Sequence, residues 1–589
     1  MNVPAPTPYR APVDEVMLAL EVAGLSELLE LDVFAHVDRD AIRSVLDEFA
    51  RLAEGEIASG DRVGDVAHST FDPASGEVSA PAEFARAYER YVEGGWGALQ
   101  IPSALGGGGF PTLIATVLQE FFASANLALS LNIVLTLGAI EALLQWGSDE
   151  QRALYLTKLA TGEWSGTMNL TEAQAGSDLG EIRTLATARE DGTWSLSGTK
   201  IFITWGEHTL SSNIVHLVLA RTPDAPPGTK GLSLFLVPKF LVAANGELAE
   251  RNAVRALSIE HKLGIHGSPT CVMEFDHATG FLVGPLHGGM KAMFTMMNNA
   301  RLAIGLEGPA VAERAYQHAY EYATTRTQGR ATSSSTATNS PIIEHPDVQR
   351  MLLTMSTSTQ AARLLIYRAV AHKDLAHQLG DGPLREHHQE MVDLLTPVAK
   401  AWSTDRGLEA ASTAIQVFGG MGFIEETGIA QRLRDARITT IYEGTNGIQS
   451  IDLAFRKIPR QGGAHARELF DEIRQSLAKH DEPALRHATS LVLGALDVLE
   501  TTTTWMIEAV TNAPDDALAG ATLYQRLFGD VVGGWLMIAR AARAALLARP
   551  EAARALDEAT FFAIEFCGPA TALGAVITSG AKRLAPLRP

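Results

Sequence analysis

The chain has 589 residues, of which 46% are hydrophobic and 20% are charged, so it is long enough for several folded domains and does not have a disordered composition. Its 68 acidic and 48 basic side chains give a net charge of −20, which disfavours nucleic acid as the main partner. With only two cysteines, Cys271 and Cys567, the chain can form neither a disulfide framework nor a cysteine-type zinc site. We therefore expect a multidomain cytoplasmic protein.

The first part of the chain has a helical pattern. Apolar residues in 13–162 recur mostly at three- and four-residue spacing. The uncharged stretch 121–140 is long enough to cross a bilayer, but polar residues lie all around it, so we predict a buried core helix and no membrane span. The Pro-rich start lacks the pattern of a signal peptide, so we do not expect secretion.

The apolar period changes near residue 165. Asp191-Gly192 predicts a two-residue hairpin turn. Strand-like runs cover residues 185–189, 201–204, 214–220, 232–237 and 271–275. These features predict an antiparallel sheet.

Helical patterns return from residue 290, pause in a low-complexity loop at 331–341, and continue to the end of the chain. The order of helices, sheet and helices predicts segregated α and β regions, an α+β fold. We predict four domains: an N-terminal helical domain with an N-terminal extension (1–164), a β-sheet domain (165–283), a C-terminal helical bundle (284–460) and an additional helical domain (461–589).

The segment 441–449 reads Ile-Tyr-Glu-Gly-Thr-Asn-Gly-Ile-Gln. On residue types alone, Glu443 is an acid near a helix N-terminus and Thr445 or Asn446 is the N-cap. The segment also resembles the catalytic segment of the acyl-CoA dehydrogenase family, Tyr-Glu-Gly-Thr followed by Ile-Gln. In that family the glutamate removes the α-proton of an acyl-CoA thioester.

Three further segments resemble the same family in the same order. They are the flavin loop at 168–178 (Met-Asn-Leu-Thr-Glu-Ala-Gln-Ala-Gly-Ser-Asp), the strand at 198–204 (Gly-Thr-Lys-Ile-Phe-Ile-Thr) and the segment 416–423 (Gln-Val-Phe-Gly-Gly-Met-Gly-Phe). The resemblance covers about residues 80–458. The chain is longer than a typical member and resembles the long bacterial branch, which includes 3-methylmercaptopropionyl-CoA and fatty acyl-CoA dehydrogenases.

The resemblance implies the family's fold, with an N-terminal helical domain, a middle antiparallel β domain and a C-terminal helical bundle, to which this chain adds a further C-terminal helical domain. It also implies FAD as the cofactor and Glu443 as the catalytic base. The implied cofactor-binding residues are Met168, Leu170, Thr171, Gly176, Ser177, Phe202, Ile203, Thr204, Arg326, Gln328, Gln416, Gly419, Gly420 and Thr445. The implied substrate-binding residues are Ser177, Asn298, Arg301 and Gly444, and no metal is implied.

Some of these residues have plainer interpretations. Thr171 and Ser177 could cap turns. Gly419 and Gly420 could simply end a helix, and Arg301 could lie on the surface.

The chain also departs from the family pattern at several positions. Phe202 replaces the usual tryptophan, so it can stack on a flavin but cannot donate a hydrogen bond. Gly329-Arg330 replaces the common Phe-Gly, and Gly447 replaces a frequent glutamine. The local geometry at these positions is not fixed by the resemblance.

The implied reaction is FAD-dependent α,β-dehydrogenation of an acyl-CoA to the trans-2-enoyl-CoA. Glu443 takes the α-proton, flavin N5 takes the β-hydride, and the electrons pass to electron-transfer flavoprotein. We expect a homodimer or a dimer of dimers. The alternatives are an acyl-CoA oxidase using O₂ and a nucleic-acid-associated flavoprotein; residues 461–589 hold 12 basic and 15 acidic side chains, which disfavours the latter. The sequence does not predict the acyl chain length.

Overall fold

The computed structural model of the protein describes residues 7–332, 339–480 and 482–587. Residues 1–6 of the predicted N-terminal extension and residues 333–338 of the predicted low-complexity loop lie outside the described residues. Along the chain, helices are followed by strands and then by two further sets of helices, so the predicted α+β class is confirmed.

The N-terminal region is mainly helical, as predicted. Its helices are α1 (Val13–Ala23), α2 (Leu25–Leu29), α3 (Arg39–Leu52), α4 (Ala58–Ala67), α5 (Ala82–Glu93), α6 (Thr112–Ala125), α7 (Leu127–Trp146) and α8 (Asp149–Ala160). A short hairpin of β1 (Thr70–Asp72) and β2 (Glu77–Ser79) interrupts them. It forms because Asp72 accepts hydrogen bonds from the backbone N–H of Ala74 and the hydroxyl of Ser75, which closes the turn.

Two helical stretches are long and apolar enough to cross a membrane by length and composition, Leu127–Trp146 and Ala552–Thr578. In the first, 83% of the apolar window is buried inside the protein, in agreement with the predicted core helix; in the second, 39% is buried.

Nine strands follow the N-terminal helices. They are β3 (Trp164–Asn169), β4 (Leu185–Ala188), β5 (Trp194–Thr204), β6 (Asn213–Arg221), β7 (Leu232–Pro238), β8 (Phe240–Val242), β9 (Leu248–Arg251), β10 (Val254–Ile259) and β11 (Thr270–Val283). Seven of them form one sheet in the order β10-β11-β5-β4-β6-β3, with β7 paired to β11 and β6. Most pairings are antiparallel, as predicted, but β3 runs parallel to β6, because β4 and β5 form the connection through which the chain returns in the same direction.

The turn between β4 and β5 differs from the predicted two-residue turn. Ala188 pairs with Trp194, and the backbone N–H of Arg189 donates to the carbonyl of Thr193 at 2.8 Å. Three residues therefore form the turn, and Gly192 takes the left-handed conformation (φ +83°) that a three-residue hairpin loop requires.

The remaining helices continue to the end of the chain. They are α9 (Gly289–Thr325), α10 (Pro346–Gln378), α11 (Pro383–Phe418), α12 (Ile429–Ala436), α13 (Asn446–Asp452), α14 (Ala464–Ala478), α15 (Arg486–Asn512), α16 (Pro514–Leu546), α17 (Ala552–Phe562) and α18 (Ala570–Thr578). The predicted helical character of residues 461–589 is therefore confirmed for the described residues.

The chain divides into two compact units. One contains residues 1–50, 111–124 and 301–589, and the other contains residues 51–110 and 125–300. In the second unit the sheet lies directly on α7, since a Cβ atom at Gly166 would come within 2.5 Å of the Ala139 Cβ. The first unit is helical in its described residues.

Within the first unit, α9 and α11 cross at very short range. A Cβ atom at Gly308 would lie 2.2 Å from the carbonyl oxygen of Ser403, and one at Gly407 would lie 2.6 Å from the carbonyl oxygen of Gly308. Only glycine permits this approach of two backbones. The crossing brings the buried polar side chains of the two helices into one place.

Candidate active site

Glu443 lies on a strained turn in the first unit. Its φ is +55°, which is uncommon for a residue with a side chain, and Gly444 follows with φ +85°. The turn joins a short helical segment, Arg437–Thr440, to α13. Two successive left-handed residues reverse the chain direction sharply just before the helix begins.

Side chains of α13 hold this turn from its C-terminal side. The Thr445 Oγ1 accepts a hydrogen bond from the backbone N–H of Ile448 at 3.3 Å, so Thr445 is the N-cap. The Gln449 Nε2 donates to the carbonyl oxygens of Glu443 (3.3 Å) and Gly444 (3.4 Å). Because an N-cap and a side-chain clamp both act within one turn, the backbone of Glu443 is fixed in its strained form.

Asn446 ties the start of α13 to α11. The Lys400 Nζ donates to the Asn446 Oδ1 at 2.8 Å, and the Asn446 Nδ2 donates to the Asp405 Oδ1 at 2.8 Å. Lys400 is fully buried and Asn446 nearly so. Burial lowers the pKa of Lys400 to about 8, although the carboxyl groups of Glu443, Glu307 and Asp405 oppose the shift.

The Glu443 carboxyl group is tuned by its surroundings. Burial raises its pKa to about 7, while the charges of Arg301 and Lys400 act to lower it. Arg301 is 9% exposed, with its Nη1 3.8 Å from the Asp452 Oδ2, so its interpretation as a surface arginine is wrong. A carboxyl group with a pKa near 7 can both take and release a proton at neutral pH.

Sequence reasoning missed three residues of this cluster: Lys400, Glu307 and Tyr442. The Glu307 Oε2 accepts a hydrogen bond from the Tyr442 hydroxyl, and burial raises the pKa of Glu307 to about 8. Glu307 and Lys400 lie on long helices, where a charged residue usually faces water. Glycines 305, 308 and 407 permit the close crossing, but they indicate it only once α9 and α11 are known to pair.

The second unit brings together the predicted residues of the flavin loop and the β5 strand. Met168 and Leu170 are buried at and just after the end of β3, and the backbone N–H of Ile201 donates to the carbonyl of Thr171 at 2.9 Å. Ile203 is buried, Thr204 is partly buried, and Gly176 and Ser177 are exposed. The hydroxyls of Thr171 and Ser177 make no hydrogen bond within the described part of the chain, so the turn-capping interpretation is not supported.

A buried ion pair clamps this loop. The Lys200 Nζ donates to the Glu172 Oε1 at 2.8 Å and to the Leu170 carbonyl oxygen at 2.9 Å. Glu172 also accepts from the backbone N–H groups of Arg183 (2.8 Å) and Thr184 (3.0 Å). Burial alone would raise the pKa of Glu172, but the Lys200 charge and these hydrogen bonds lower it to about 2. The loop is therefore pinned to the sheet by a carboxylate.

Phe202 differs from its neighbours because it is a large apolar side chain in water. It is 60% exposed and has φ +60°, beside the buried Ile203. An aromatic face presented to solvent on a rigid strand is a surface suited to stacking against a flat ring system.

Two more predicted segments lie together in the first unit. The rings of Tyr322 and Phe418 stack with centroids 4.1 Å apart, which holds the end of α9 beside the end of α11. Arg326 and Gln328 follow Tyr322 and are exposed; among the described residues, the Arg326 guanidinium has no hydrogen-bond or ion-pair partner.

The end of α11 is exposed in the same way. Gln416, Gly419 and Gly420 all face solvent. The helix ends at Phe418, and Gly419 has φ +59°, so the glycines do end the helix. Asn298 is exposed on α9, one turn before the buried Arg301. Within residues 7–332, 339–480 and 482–587, no group of three His, Cys, Asp or Glu side chains could hold a metal ion.

Four family models match the chain in succession and together cover most of it. They are described as the acyl-CoA dehydrogenase N-terminal domain (residues 53–163), middle domain (167–278) and C-terminal domain (287–457), and as an acetyl-CoA dehydrogenase C-terminal-like domain (469–588). Together with the helix-sheet-helix order, these matches define a flavoprotein oxidoreductase that acts on acyl-CoA.

Individual proteins agree with this class. The chain is 45% identical to 3-methylmercaptopropionyl-CoA dehydrogenase of Ruegeria pomeroyi, over 90% of each chain. It is 35% identical to the broad-specificity linear acyl-CoA dehydrogenase FadE5 of Mycobacterium tuberculosis, over 94% of this chain and 93% of that one. A Bacillus anthracis acyl-CoA dehydrogenase complexed with FAD has the same fold, with a TM-score of 0.71, 20% identity, and coverage of 98% of this chain and 89% of that one. The chain belongs to the acyl-CoA dehydrogenase family.

The family's cofactor is FAD, and the residues present fit it. In the second unit, Phe202 offers an exposed aromatic face beside a loop clamped by Lys200 and Glu172. In the first unit, Arg326 offers an exposed guanidinium, a group suited to a pyrophosphate.

The clamp on the flavin loop leads to a prediction. Lys200→Met leaves Glu172 buried without its partner, which is expected to destabilise the protein by about 3–5 kcal/mol and to weaken FAD binding at least about tenfold. The measurements are thermal unfolding and the FAD dissociation constant. Removing both charges in Lys200→Met/Glu172→Gln is expected to recover part of both losses. Wild-type FAD affinity and unfolding temperature in Lys200→Met would show that the ion pair does not hold the loop.

Proposed function

We propose that the protein dehydrogenates an acyl-CoA between Cα and Cβ, with Glu443 as the base. The carboxyl group of Glu443 takes the α-proton, and the electron pair of the Cα–H bond forms the new double bond. When held by these residues, FAD would supply the two-electron acceptor for the β-hydrogen, which leaves Cβ as a hydride. The observation that carries the proposal is the Glu443 carboxyl group on its strained turn, with a pKa raised to about 7 beside Arg301 and Lys400.

The surroundings of Glu443 support this role. An α-proton of a thioester is a very weak acid, so its removal needs a positioned base in a site with little water. The turn fixes the backbone of Glu443, and Arg301 and Lys400 keep positive charge near it. Gly444 lies next to the base without a side chain, and we propose that it contacts the substrate together with Ser177, Asn298 and Arg301.

We propose that FAD is held by the same residues that the family resemblance implies. The stacking face is Phe202, and the loop and strand residues around it are Met168, Leu170, Thr171, Gly176, Ser177, Ile203 and Thr204. Arg326, Gln328, Gln416, Gly419, Gly420 and Thr445 complete the set in the first unit.

We propose four domains with the boundaries 1–164, 165–283, 284–460 and 461–589, since each family model falls inside one of them.

We also propose a homodimer or a dimer of dimers. The proposed electron acceptor is electron-transfer flavoprotein, and slow reoxidation of the reduced protein in air would support it over an oxidase.

The substrate is tested by anaerobic bleaching of the flavin with a panel of acyl-CoAs. The panel contains 3-methylmercaptopropionyl-CoA and linear acyl-CoAs of increasing length, because the two relatives carry those names. Bleaching by at least one member supports the function. No bleaching by any acyl-CoA, with FAD bound and the protein folded, would refute it.

The pH dependence of bleaching tests the base. Glu443 must be deprotonated to take a proton, and its pKa is raised to about 7, so the bleaching rate is expected to rise with pH and level off above about pH 8. The measurement is stopped-flow absorbance at saturating substrate. A rate that is flat from about pH 5.5 to 9, or that falls in this range, would assign the proton to another group.

A further inference from the structure

A second acid lies buried beside the proposed base. Glu307 on α9 is 1% exposed, and its Oε2 accepts the hydrogen bond from the Tyr442 hydroxyl. Its Oε1 has no hydrogen-bond partner among the described residues. A buried carboxyl oxygen without a hydrogen-bond partner is unfavourable, so Glu307 lowers the stability of the folded protein at this position.

Tyr442 is the residue directly before Glu443, so its hydrogen bond to Glu307 restrains the backbone where the turn begins. A left-handed backbone at a residue with a side chain is strained and persists only if its surroundings enforce it. Gln449 enforces it from the C-terminal side. On the N-terminal side, the Tyr442 hydroxyl holds the turn by its hydrogen bond to Glu307 of α9.

We infer that Glu307 is a positioning residue for Glu443: by fixing the Tyr442 hydroxyl it holds the strained turn that presents the base. The inference rests on the proposed function of Glu443. Glu307 acts through Tyr442 and takes no part in the proton transfer itself.

The groups around Glu307 explain how it can bind Tyr442 and yet stay uncharged beside Glu443. Lys400 faces it from α11, and Tyr442 and Glu443 face it from the turn. Arg301 on α9 and Asp405 on α11 face Lys400 in turn. Burial raises the pKa of Glu307 to about 8, the charge of Glu443 adds to the shift, and the hydrogen bond from Tyr442 and the charge of Lys400 oppose it. At pH 7 Glu307 is therefore mainly neutral, and a glutamine can replace it as an acceptor.

Three variants of the FAD-loaded protein test the inference. Glu307→Leu and Tyr442→Phe each remove the hydrogen bond, and each is expected to lower kcat at least about tenfold with KM changed less than about threefold. In both variants, the bleaching rate is expected to rise at a pH about one unit lower than in the wild type. A released turn exposes Glu443 to water, which lowers its pKa. Glu307→Gln keeps an acceptor and is expected to stay within about threefold of wild type.

Two comparisons separate positioning from general stability. Glu307→Leu/Tyr442→Phe is expected to be no slower than the slower single variant, because both changes remove one interaction. Tyr367→Phe is the matched control, since the Tyr367 hydroxyl donates to the buried Glu120 at 2.6 Å. It is expected to lower the unfolding temperature without moving the pH profile.

The outcomes are distinguishable. If Glu307→Leu and Tyr442→Phe keep the wild-type kcat and pH profile, the inference is wrong, whatever their stability. If Glu307→Leu does not fold, Tyr442→Phe and Glu307→Gln decide alone, because each retains the packing volume. If Glu443→Gln keeps wild-type turnover, the proposed role of Glu443 as the base fails; if only the Glu307 and Tyr442 variants are unaffected, the inference fails by itself.

Discussion

Glu443→Gln is expected to lower turnover by at least about 10³, equivalent to about 4 kcal/mol in the activation barrier. The amide has nearly the shape of the carboxyl group but cannot accept the α-proton. The backbone hydrogen bonds from Gln449 and the N-cap at Thr445 do not involve the Glu443 side chain, so the turn is expected to stay intact. FAD content and acyl-CoA binding are therefore expected to remain near wild type.

The measurement is the single-turnover rate of flavin bleaching, which separates chemistry from product release. Glu409→Gln is the matched control: Glu409 lies on α11 with its side chain 58% exposed, paired to Arg406 at 2.8 Å, and the change is expected to leave the rate unaltered. Turnover of Glu443→Gln within about tenfold of wild type would move the base to another residue.

Much of the fold could be predicted because its pattern is local. The change from helical to alternating spacing near residue 165 predicts the sheet, and β3 begins at Trp164. The hairpin turn was wrong by one residue, since Gly192 fits a two-residue and a three-residue loop equally well and the register of Ala188 with Trp194 decides between them. The parallel pairing of β3 with β6 is a long-range property without a local signal.

The candidate site divides in the same way. Glu443 and Thr445 lie in one short motif. The sequence leaves Thr445 and Asn446 both open as the N-cap, and the structure shows that it is Thr445. Lys400 and Glu307 lie far apart in the chain on helices with no distinctive pattern. Their burial results from the glycine crossing of α9 and α11, which the sequence does not reveal without the pairing of those helices. The local motif therefore predicts Glu443 as the base, and only the tertiary structure shows which groups shift its pKa.

Removal of residues after Ile458 is expected to abolish soluble folded protein or to change its oligomeric state. The C-terminal helices pack on the other helices of the first unit. The Trp402 Nε1 on α11 donates to the Asp530 Oδ1 on α16 at 2.9 Å, and a Cβ atom at Gly529 would lie 2.3 Å from the Trp402 ring. Ser450 on α13 donates to the buried Gln525 of α16. Truncation would expose this surface, and each large apolar side chain exposed costs about 1.5–3 kcal/mol.

Truncation would also break charge pairs. Arg540 on α16 is 2% exposed and binds Glu15 of α1 at 2.5 Å. Without it, Glu15 loses its partner, and α1 loses one of its links to the rest of the unit. The measurements are soluble yield, mass by light scattering and the acyl-CoA profile of any soluble fraction, in which Glu443 chemistry is expected to persist.

A graded version of the same test avoids gross truncation. Gly529→Ala drives a methyl group into the Trp402 ring and is expected to destabilise the protein by about 1–3 kcal/mol. Gly494→Ala is the matched control on α15: no atom lies within 4 Å of its added Cβ, so it is expected to be neutral or to stabilise the helix by up to about 1 kcal/mol. A soluble truncated protein with the parent assembly and the same acyl-CoA profile would show that residues 461–589 neither stabilise the rest of the first unit nor affect its assembly or its acyl-CoA selection. If Gly529→Ala loses stability and Gly494→Ala does not, the contact of α16 with Trp402 is one of the contacts that bind the C-terminal helices to α11.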